Sequence, residues 1–239
     1  MLNNLPKPKE RTSMLYWYPE VKDVLPTPKT KFIKLEKCEN SPYGVIWDEE
    51  EVHEAIQELG GYPAFIRTDL ASDKFWMKEG SRVENEDELM RHIARVIEFN
   101  QLASVIGLPF VCLAVREWLN LDHKFKAFYG TPIAKEIRVF IRDGEVECYH
   151  FYWPEEAIKF FRDTEEPDNW QELLKETREE TIARELTEAL DLAWDVAKIF
   201  DGDGYWSVDF ALTEDGDWYL IDMAEGEKSW HPECEYKNN

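Results

Sequence analysis

The sequence predicts an α+β fold with antiparallel sheets. Strand-like and helix-like stretches alternate along the chain, and two pairs of apolar strand candidates are each joined by a short hairpin turn. Hydrophobic residues make up 44% of the 239 residues, enough to bury a sizeable core. This length suits one large domain or two small ones that share a cleft.

The first half of the chain begins with an extended segment, because five prolines fall within residues 1–30. Apolar residues recur at helical spacing in the long helix expected after it, and Gly60 and Gly61 close the shorter helix. The elements expected here are a short strand, a helix, a strand, a long helix and a strand, at residues 31–35, 49–59, 64–67, 85–106 and 110–119.

The second half contains the two predicted hairpins and one long helical stretch. Asp143 and Gly144 form a strong turn signal between strands at 137–141 and 146–151. Residues 170–200 are mostly helical by their apolar spacing. The last hairpin pairs two further strands around a polar loop, with strands at 205–212 and 218–223 and the loop at 214–217.

Charge and motif content exclude several classes of protein. With 28 basic and 50 acidic residues the net charge is −22, which opposes nucleic acid or an anionic membrane as the main partner. The four cysteines include no CxxC pair, so zinc and thioredoxin-type chemistry are not predicted from them. The polar, proline-rich start and the lack of a long apolar run predict neither a signal peptide nor a membrane span, so we expect a cytoplasmic location. The phosphate-binding patterns GxxxxGK[ST] and GxGxxG are absent.

The last hairpin brings two carboxylates together. If Thr213 pairs with Trp218, then Asp209 lies opposite Asp222. Alternation then predicts a core face and a second face that carries both Asp residues beside Ala211 and Leu220. The predicted core face consists of Trp206, Val208, Phe210, Leu212, Tyr219, Ile221 and Met223.

Directly opposed carboxylates have Cβ atoms about 5 Å apart and destabilise a sheet unless something compensates their charge. Magnesium held by one or two carboxylates and by nucleotide phosphates is one solution. A shared proton, or a nearby arginine or lysine, is the alternative. The residues alone leave these possibilities open.

The two segments YWSVDFAL at 205–212 and WYLIDMA at 218–224 resemble the last hairpin of ATP-grasp proteins. In that family an Asp on one strand faces an acidic residue on the next strand, which is followed by an Asn in the spacing E/D-x-N. The resemblance implies that Asp209 and Asp222 bind magnesium. It also implies the fold: two α+β subdomains with antiparallel sheets that enclose a nucleotide cleft.

The sequence departs from the family pattern at one ligand position. Ala224 occupies the position of the usual Asn. The resemblance therefore implies either fewer protein ligands for the second ion or a substitute, for which Glu225 is the first candidate and Glu227 the second. Gly226 and Glu227 also resemble the stretch after the metal ligands in the cell-division-cycle ATP-grasp proteins that assemble a translation initiation factor.

Residues 115–119, VREWL, resemble the family's hinge, whose backbone contacts the adenine edge. The resemblance implies that Glu117, Trp118 and Leu119 bind the nucleotide. By composition alone the indole of Trp118 fits a protein core as well as an adenine wall.

Residues 136–145, EIRVFIRDGE, resemble the family's hairpin with the pattern E-x-R-V-F-x-x-x-G. The resemblance implies that Arg138 faces the triphosphate and that Glu136 faces the ribose or the pocket floor. An ordinary exposed ion pair on a hairpin is the alternative.

Residues 63–67, PAFIR, and 72–74, SDK, resemble the family's phosphate-binding strand and flexible loop. Most ATP-grasp proteins have a lysine where Arg67 stands. This departure resembles a clade of small ATP-grasp proteins of phages and bacteria with one arginine and two lysines. It implies that Arg67 and Lys74 bind phosphate and act in catalysis with Arg138, with Lys78 as a weaker candidate; surface charges are the alternative for all three.

The resemblance implies ATP and Mg²⁺ as cofactors, with two ions and with Mn²⁺ as a substitute. It implies that the protein ligates a carboxylate to an amine through an acyl phosphate. A peptide or protein is expected among the substrates. A non-catalytic ATP-bound assembly chaperone or protein-binding module is the rival, and a relic without turnover is a third possibility.

The expected organisation is an N-terminal arm with a reduced pre-ATP-grasp region (1–40), a small subdomain (41–118) and a large subdomain (119–239). A ligase also needs a second pocket beside the metals, expected from the N-terminal arm, residues 124–135 and the tail 225–231. The sequence predicts a local basic group for it, with solvated lysines on separate surfaces as the alternative. That group consists of Lys124, Lys126, Lys135, Lys228 and His231.

Overall fold

The computed structural model of the protein describes residues 5, 8, 10–73, 76–105, 110–161, 166–232, 234 and 236–237. The chain divides into two compact units. Unit 1 comprises residues 1–16 and 28–119, and unit 2 comprises residues 17–27 and 120–239. None of the helices in the described ranges is both long and apolar enough to cross a membrane.

Unit 1 is built on a four-stranded antiparallel sheet. The strands of unit 1, including two outside this sheet, are β1 (Thr30–Lys34), β2 (Glu36–Lys37), β3 (Val45–Ile46), β4 (Ala64–Thr68), β5 (Arg82–Val83) and β6 (Cys112–Glu117). The order in the sheet is β1–β6–β4–β5, and β2 pairs with β3. Helices α2 (Glu49–Glu58) and α3 (Glu86–Val105) share its hydrophobic core.

Both predicted helices of unit 1 are confirmed, and local chemistry fixes where α2 begins. The Asp48 carboxylate accepts the backbone N–H groups of Glu50 and Glu51, which have no partner within the helix. Apolar residues then repeat at helical spacing, and those of α3 are fully buried against the sheet. These positions in α3 are Leu89, Ile93, Val96 and Ile97.

The sequence analysis predicted that the proline-rich N-terminal segment is an extended arm, and this prediction is wrong for part of it. Residues Met14–Val21 form helix α1, which contains Pro19. Met14, Trp17 and Val21 are fully buried along one side of it. Their spacing of three and four residues is helical, and the burial of this apolar stripe outweighs the hydrogen bond that Pro19 cannot donate.

Unit 2 is built on a five-stranded antiparallel sheet in the order β12–β11–β9–β10–β13. The strands of unit 2, including two outside this sheet, are β7 (His123–Ala127), β8 (Thr131–Ala134), β9 (Glu136–Arg142), β10 (Glu145–Phe151), β11 (Tyr205–Leu212), β12 (Trp218–Glu225) and β13 (Tyr236–Lys237). Strands β7 and β8 form a separate hairpin. The predicted hairpin β9–β10 is confirmed, with Asp143 and Gly144 at positive φ, as a tight hairpin turn requires.

The long helical stretch of unit 2 is interrupted. Helices α4 (Glu155–Phe160) and α5 (Trp170–Glu180) precede a π-helical turn (Thr181–Glu185), and α6 (Leu186–Ile199) follows it. The indole of Trp218 donates to the backbone carbonyl of Glu185, the last residue of this turn, at 3.0 Å. A side chain of the sheet therefore satisfies a carbonyl where the regular helical pattern is broken.

Candidate functional site

A β-bulge sets the register of the β11–β12 hairpin. Asp209 pairs with Asp222, as the sequence predicts, but Phe210 pairs with Leu220, so that Ile221 is the extra residue of the bulge. Next to the loop Leu212 pairs with Trp218, one residue away from the predicted pairing of Thr213 with Trp218. The predicted register is wrong at the loop end and correct at the two Asp residues, because the extra residue lies between them.

The bulge also changes which residues of β12 face the core. Tyr219 and Ile221 are only partly buried, whereas Trp218 and Leu220 are fully buried with Met223. The prediction that Tyr219 and Ile221 belong to the core is therefore wrong, as is the placement of Leu220 beside the acidic pair. An uninterrupted strand could not bury Trp218, Leu220 and Met223 on one face, because their numbers differ in parity.

Polar side chains form a row across one face of this sheet. Asp222 pairs with Asp209, Asp209 pairs with Arg138, and Arg138 pairs with His150 on successive strands. The Arg138 guanidinium donates from Nε to Asp209 Oδ1 at 2.7 Å and from Nη2 to Asp209 Oδ2 at 2.8 Å. Such a bidentate pair fixes both groups in position as well as neutralising them.

The row contains a nearby arginine, one of the ways in which the charge of the acidic pair could be compensated. Asp209 and Arg138 are both largely buried, and Arg138 compensates the Asp209 charge directly. Burial alone would lower the pKa of Arg138, but the Asp209 carboxylate, with smaller contributions from Tyr152 and Asp222, raises it above its ordinary value. The guanidinium is therefore permanently charged.

The donor set at the acidic pair suits a hard cation. Asp209 and Asp222 offer carboxylate oxygens, the ligands that Mg²⁺ prefers, and a carboxylate bound by one arginine keeps further lone pairs. Asp222 Oδ1 accepts the backbone N–H of Met223 at 3.1 Å. The two residues fit a magnesium site that is completed by phosphate oxygens and water.

The third predicted ligand lies apart from the pair. Glu225 pairs with Trp206 in the ladder, so alternation directs it away from the Asp222 face, and its carboxylate forms an ion pair with Lys228. Within the described ranges, Asp209, Asp222 and Glu225 do not form a group whose ligand atoms all lie within 4.8 Å of one another. Ala224 pairs with Ser207 and, being an alanine, contributes no ligand.

Glu136 lies on β9 two residues before Arg138, so both face the same side of the sheet. It is buried and pairs with Ala211 of β11. The alternative of an exposed hairpin ion pair is wrong for both residues, because each is withdrawn from solvent.

In unit 1 the predicted phosphate-binding strand is β4, and Arg67 is buried on it with 2% exposure. Its Nε donates to the carbonyl of Thr68 at 3.1 Å. Arg67 is therefore not a strand-end surface charge. Lys74 lies outside the described residues, and Lys78 is exposed.

The segment before Lys74 has an anchor that the sequence analysis did not identify. Asp73 is fully buried, and Arg95 of α3 donates to it at 3.2 Å. Gly80 leaves room for this contact, since a Cβ there would lie 2.9 Å from the Cβ of Asp73. Burial raises the pKa of Asp73, and the hydrogen bond from Arg95 only partly opposes this effect.

The hinge residues have structural contacts at the end of β6. Glu117 accepts the backbone N–H of Lys29 at 2.7 Å, and its own backbone N–H bonds the Lys29 carbonyl. The guanidinium of Arg82 lies 4.5 Å from the ring centre of Trp118. Trp118 and Leu119 are half-buried, so Trp118 is not a core residue.

The predicted basic group is neutralised by acidic neighbours. Lys124 bonds Glu180 at 2.8 Å, and Lys135 bonds Asp122 at 2.8 Å and Glu185 at 3.2 Å. Burial opposes the charge of Lys135, but its bonds to Asp122 and Glu185 raise its pKa. Lys124 and Lys135 therefore do not supply the free positive charge that the sequence predicts for this group.

Residues after β12 cover the polar face of the sheet; the sequence analysis expected residues 225–231 to line a pocket there but missed the contacts of Ser229, Trp230 and Cys234. The Ser229 hydroxyl bonds that of Ser207, and Arg138 Nη1 donates to the Trp230 carbonyl at 3.3 Å. The His231 ring stacks on Phe140 with 3.8 Å between centres, and Cys234 forms a disulfide with Cys148. The available signal was the His231-x-x-Cys234 spacing, which a search for Cys–Cys pairs alone does not detect.

The chain matches a family of the ATP-grasp domain over residues 58–238, namely family 3 of the clade named for one arginine and two lysines. It is similar in structure to C-terminally truncated Cdc123 from Schizosaccharomyces pombe, at 17% identity and a TM-score of 0.54, covering 90% of this chain and 83% of that chain. No curated protein matches the sequence.

Two ligases with lower TM-scores are also similar. The ATP-grasp ligase PsnB, complexed with precursor peptide PsnA2 and AMPPNP, has 14% identity and a TM-score of 0.42, with 90% of this chain and 50% of that chain covered. N5-carboxyaminoimidazole synthase from Aspergillus clavatus has 14% identity and a TM-score of 0.45, with 90% and 44% covered. These likenesses concern the fold and not the activity.

The matched region includes both Arg67 on β4 and the β11–β12 hairpin with its acidic pair. The predicted resemblance to the clade with one arginine and two lysines is confirmed, as is the α+β class with antiparallel sheets. The chain therefore belongs to family 3 of this clade of ATP-grasp domains.

Proposed function

We propose that this protein binds Mg-ATP and uses it to join a carboxylate to an amine through an acyl phosphate. The observation that carries the proposal is the row of Asp222, Asp209 and Arg138 on one face of the unit 2 sheet. It places two magnesium-type ligands beside a permanently charged guanidinium. Family membership supports the nucleotide, since ATP and magnesium are ligands of ATP-grasp proteins.

Each member of the row has a distinct task in the proposed reaction. Asp222 and Asp209 would hold two Mg²⁺ ions, for which Mn²⁺ could substitute. Magnesium bound there would neutralise charge on the β- and γ-phosphates. Arg138 orients Asp209 through two hydrogen bonds and stabilises charge that develops during phosphoryl transfer. Arg67 and Lys74 contribute further positive charge, and residues 117–119 contact adenine through their backbone.

A second candidate function is an ATP-bound assembly chaperone or protein-binding module without turnover. Ala224 at the usual Asn position favours it, and so does Glu225, whose ladder position directs it away from the acidic pair. With one protein ligand fewer, nucleotide binding can persist while the geometry for phosphoryl transfer is lost.

The binding proposal is tested by calorimetry with Mg-AMPPNP. We expect Asp222→Asn to weaken binding at least tenfold, because it replaces a charged metal ligand by a neutral amide without leaving a buried charge unpaired. Asp215→Asn, in the exposed hairpin loop, is the matched control and should bind like the wild type. Binding that is equal in all three proteins, or that persists unchanged in chelator, would remove the acidic pair from the site.

Turnover separates the two candidates. We expect release of ADP and phosphate when a suitable carboxylate and amine are supplied with Mg-ATP, and the release should fall in Arg138→Lys, because lysine cannot make the bidentate contact. Full nucleotide binding with no turnover across peptide, amino-acid and protein substrates would favour the binding module.

A further inference from the structure

We propose that Cys148, His231 and Cys234, with the two cysteines reduced, form a Zn²⁺-binding site that fastens the C-terminal segment to the sheet of unit 2. The two sulfur atoms and the imidazole nitrogen all lie within 4.8 Å of one another. Cys148 is on β10, while His231 and Cys234 follow β12. This site is separate from the proposed ATP chemistry and does not depend on it.

The distances around His231 are close to those of a tetrahedral zinc site. Its Nε2 lies 3.1 Å from Cys234 Sγ and 3.4 Å from Cys148 Sγ. With Zn–S near 2.3 Å and Zn–N near 2.0 Å, tetrahedral geometry requires about 3.5 Å between nitrogen and sulfur. The Nε2–Cys234 Sγ distance must lengthen by about 0.4 Å and the two sulfurs must separate to about 3.8 Å, and the Cα atoms of the two cysteines, 5.9 Å apart, leave room for this.

The surroundings of His231 are those of a metal-binding imidazole. Tyr205 Oη lies 3.4 Å from Nδ1, which leaves Nε2 directed at the sulfurs. A ligating histidine generally donates its other N–H to such a partner, because this fixes both tautomer and ring orientation. Phe140 stacks on the ring at 3.8 Å and restrains its rotation.

A second imidazole, which unlike that of His231 is buried, points to a ligand at this place. His150 is two residues after Cys148 on β10 and therefore on the same face, with its ring centre 6.4 Å from that of His231. Its Nδ1 lies 2.8 Å from the carbonyl of Phe151, so Nδ1 carries the proton and Nε2 is an acceptor. Within the described part of the chain that Nε2 is buried without a hydrogen-bond partner. A water on the fourth position of the ion would satisfy it.

The metal-bound form and the disulfide exclude each other. A dithiol reductant transfers two electrons and two protons to the Cys148–Cys234 disulfide, giving two thiols while the dithiol becomes a disulfide. Zinc then displaces the two thiol protons and binds two thiolates and one neutral imidazole. Either form fixes residues 226–232 over Arg138, whose Nη1 contacts the Trp230 carbonyl.

Cobalt provides a spectroscopic test on the full chain. Protein reduced with a dithiol, desalted without oxygen and stripped of metal is titrated with Co²⁺. We expect one equivalent to produce thiolate-to-cobalt charge-transfer absorption that Zn²⁺ abolishes. Cys148→Ser and Cys234→Ser should lose this absorption, whereas Cys38→Ser, which changes a cysteine outside the disulfide, should keep it.

Two further measurements do not rely on cysteine variants that fold poorly. The oxidised wild type, with its disulfide intact, should give no charge-transfer absorption. Tyr205→Phe should fold and bind Zn²⁺ about tenfold more weakly, since it removes only the partner of Nδ1. The proposal is overturned if the reduced wild type gives no absorption, or if the absorption survives in both Cys148→Ser and Cys234→Ser.

Discussion

Arg138 donates two hydrogen bonds to Asp209, and both side chains are largely buried. Removing one charge of a buried pair is costly because the other is left uncompensated. Asp222, by contrast, is half-buried and opposes a like charge. The two acidic residues should therefore differ in their contribution to stability, although both lie in the same candidate site.

We predict that Asp209→Asn lowers the free energy of unfolding by about 3–5 kcal/mol. Asp222→Asn should change it by less than about 1 kcal/mol, because relief of the like-charge contact offsets the weakened bond to the Met223 N–H. Urea unfolding at neutral pH measures both values. Similar small changes in the two variants would show that Arg138 does not depend on Asp209.

Asp73 gives a pH-dependent prediction at the same scale. Burial raises its pKa, so the folded chain holds this proton more tightly than the unfolded chain, whose Asp pKa is about 3.9. The contribution of Asp73 to stability is then present below that value and is lost as pH rises through the folded pKa.

We predict that, as pH rises above about 3.9, the wild type loses stability relative to Asp73→Asn, which does not titrate. Denaturant unfolding of both proteins across acidic and neutral pH gives the difference. A difference that stays constant over that range, or that changes in the opposite direction, would contradict the raised pKa.

Among the elements, both hairpins could be predicted from the sequence, but the bulge in β12 could not. Asp143-Gly144 is a local turn signal that fixes the β9–β10 hairpin without tertiary information. The register of β11–β12 depends instead on which residues the core accepts. All residues of 218–223 except Asp222 are apolar or aromatic, so alternation does not reveal that Trp218 and Leu220 are buried together with Met223.

The π-helical turn between α5 and α6 gives a prediction at the scale of elements. Trp218 bonds the Glu185 carbonyl, whereas the indole N–H of Trp153, buried in the same unit, has no hydrogen-bond partner within the described ranges. Trp→Phe substitution removes similar volume at both sites, but only at Trp218 does it leave a carbonyl unsatisfied.

We predict that Trp218→Phe lowers the free energy of unfolding by about 1–2 kcal/mol more than Trp153→Phe does. Urea unfolding of the two variants against the wild type measures this difference. If Trp153→Phe were the more destabilising of the two, the bond to Glu185 would not be what stabilises the π-helical turn.

At the scale of the whole chain, the sequence predicted the fold class and family because motif order is a property of the chain itself. It did not predict α1, because the five prolines of residues 1–30 favoured an extended segment although Met14, Trp17 and Val21 have helical spacing. It placed residues 225–231 beside the metal site but did not predict the contacts that hold them over the polar face. That arrangement depends on contacts such as His231 on Phe140, which join residues ninety-one positions apart and have no local signature.

The excess of acidic residues affects the stability of the whole chain. With 50 acidic and 28 basic residues, pairing every base would still leave an excess of 22 acidic groups at neutral pH. Their mutual repulsion opposes the compact state, and salt screens it, since the Debye length is about 10 Å at 0.1 M ionic strength. Exposed ion pairs such as Lys31–Glu58 lose strength in salt as well, but each contributes only about 0–1 kcal/mol.

We therefore predict that the free energy of unfolding rises with KCl at neutral pH, because relief of the repulsion among the excess acids exceeds the weakening of surface pairs. The same titration near pH 4.6, the sequence pI, is the internal control. There the net repulsion vanishes, so added KCl should leave stability unchanged or lower it. A fall in stability with KCl at neutral pH would mean that the ion pairs dominate and that the excess charge is dispersed widely enough to cost little.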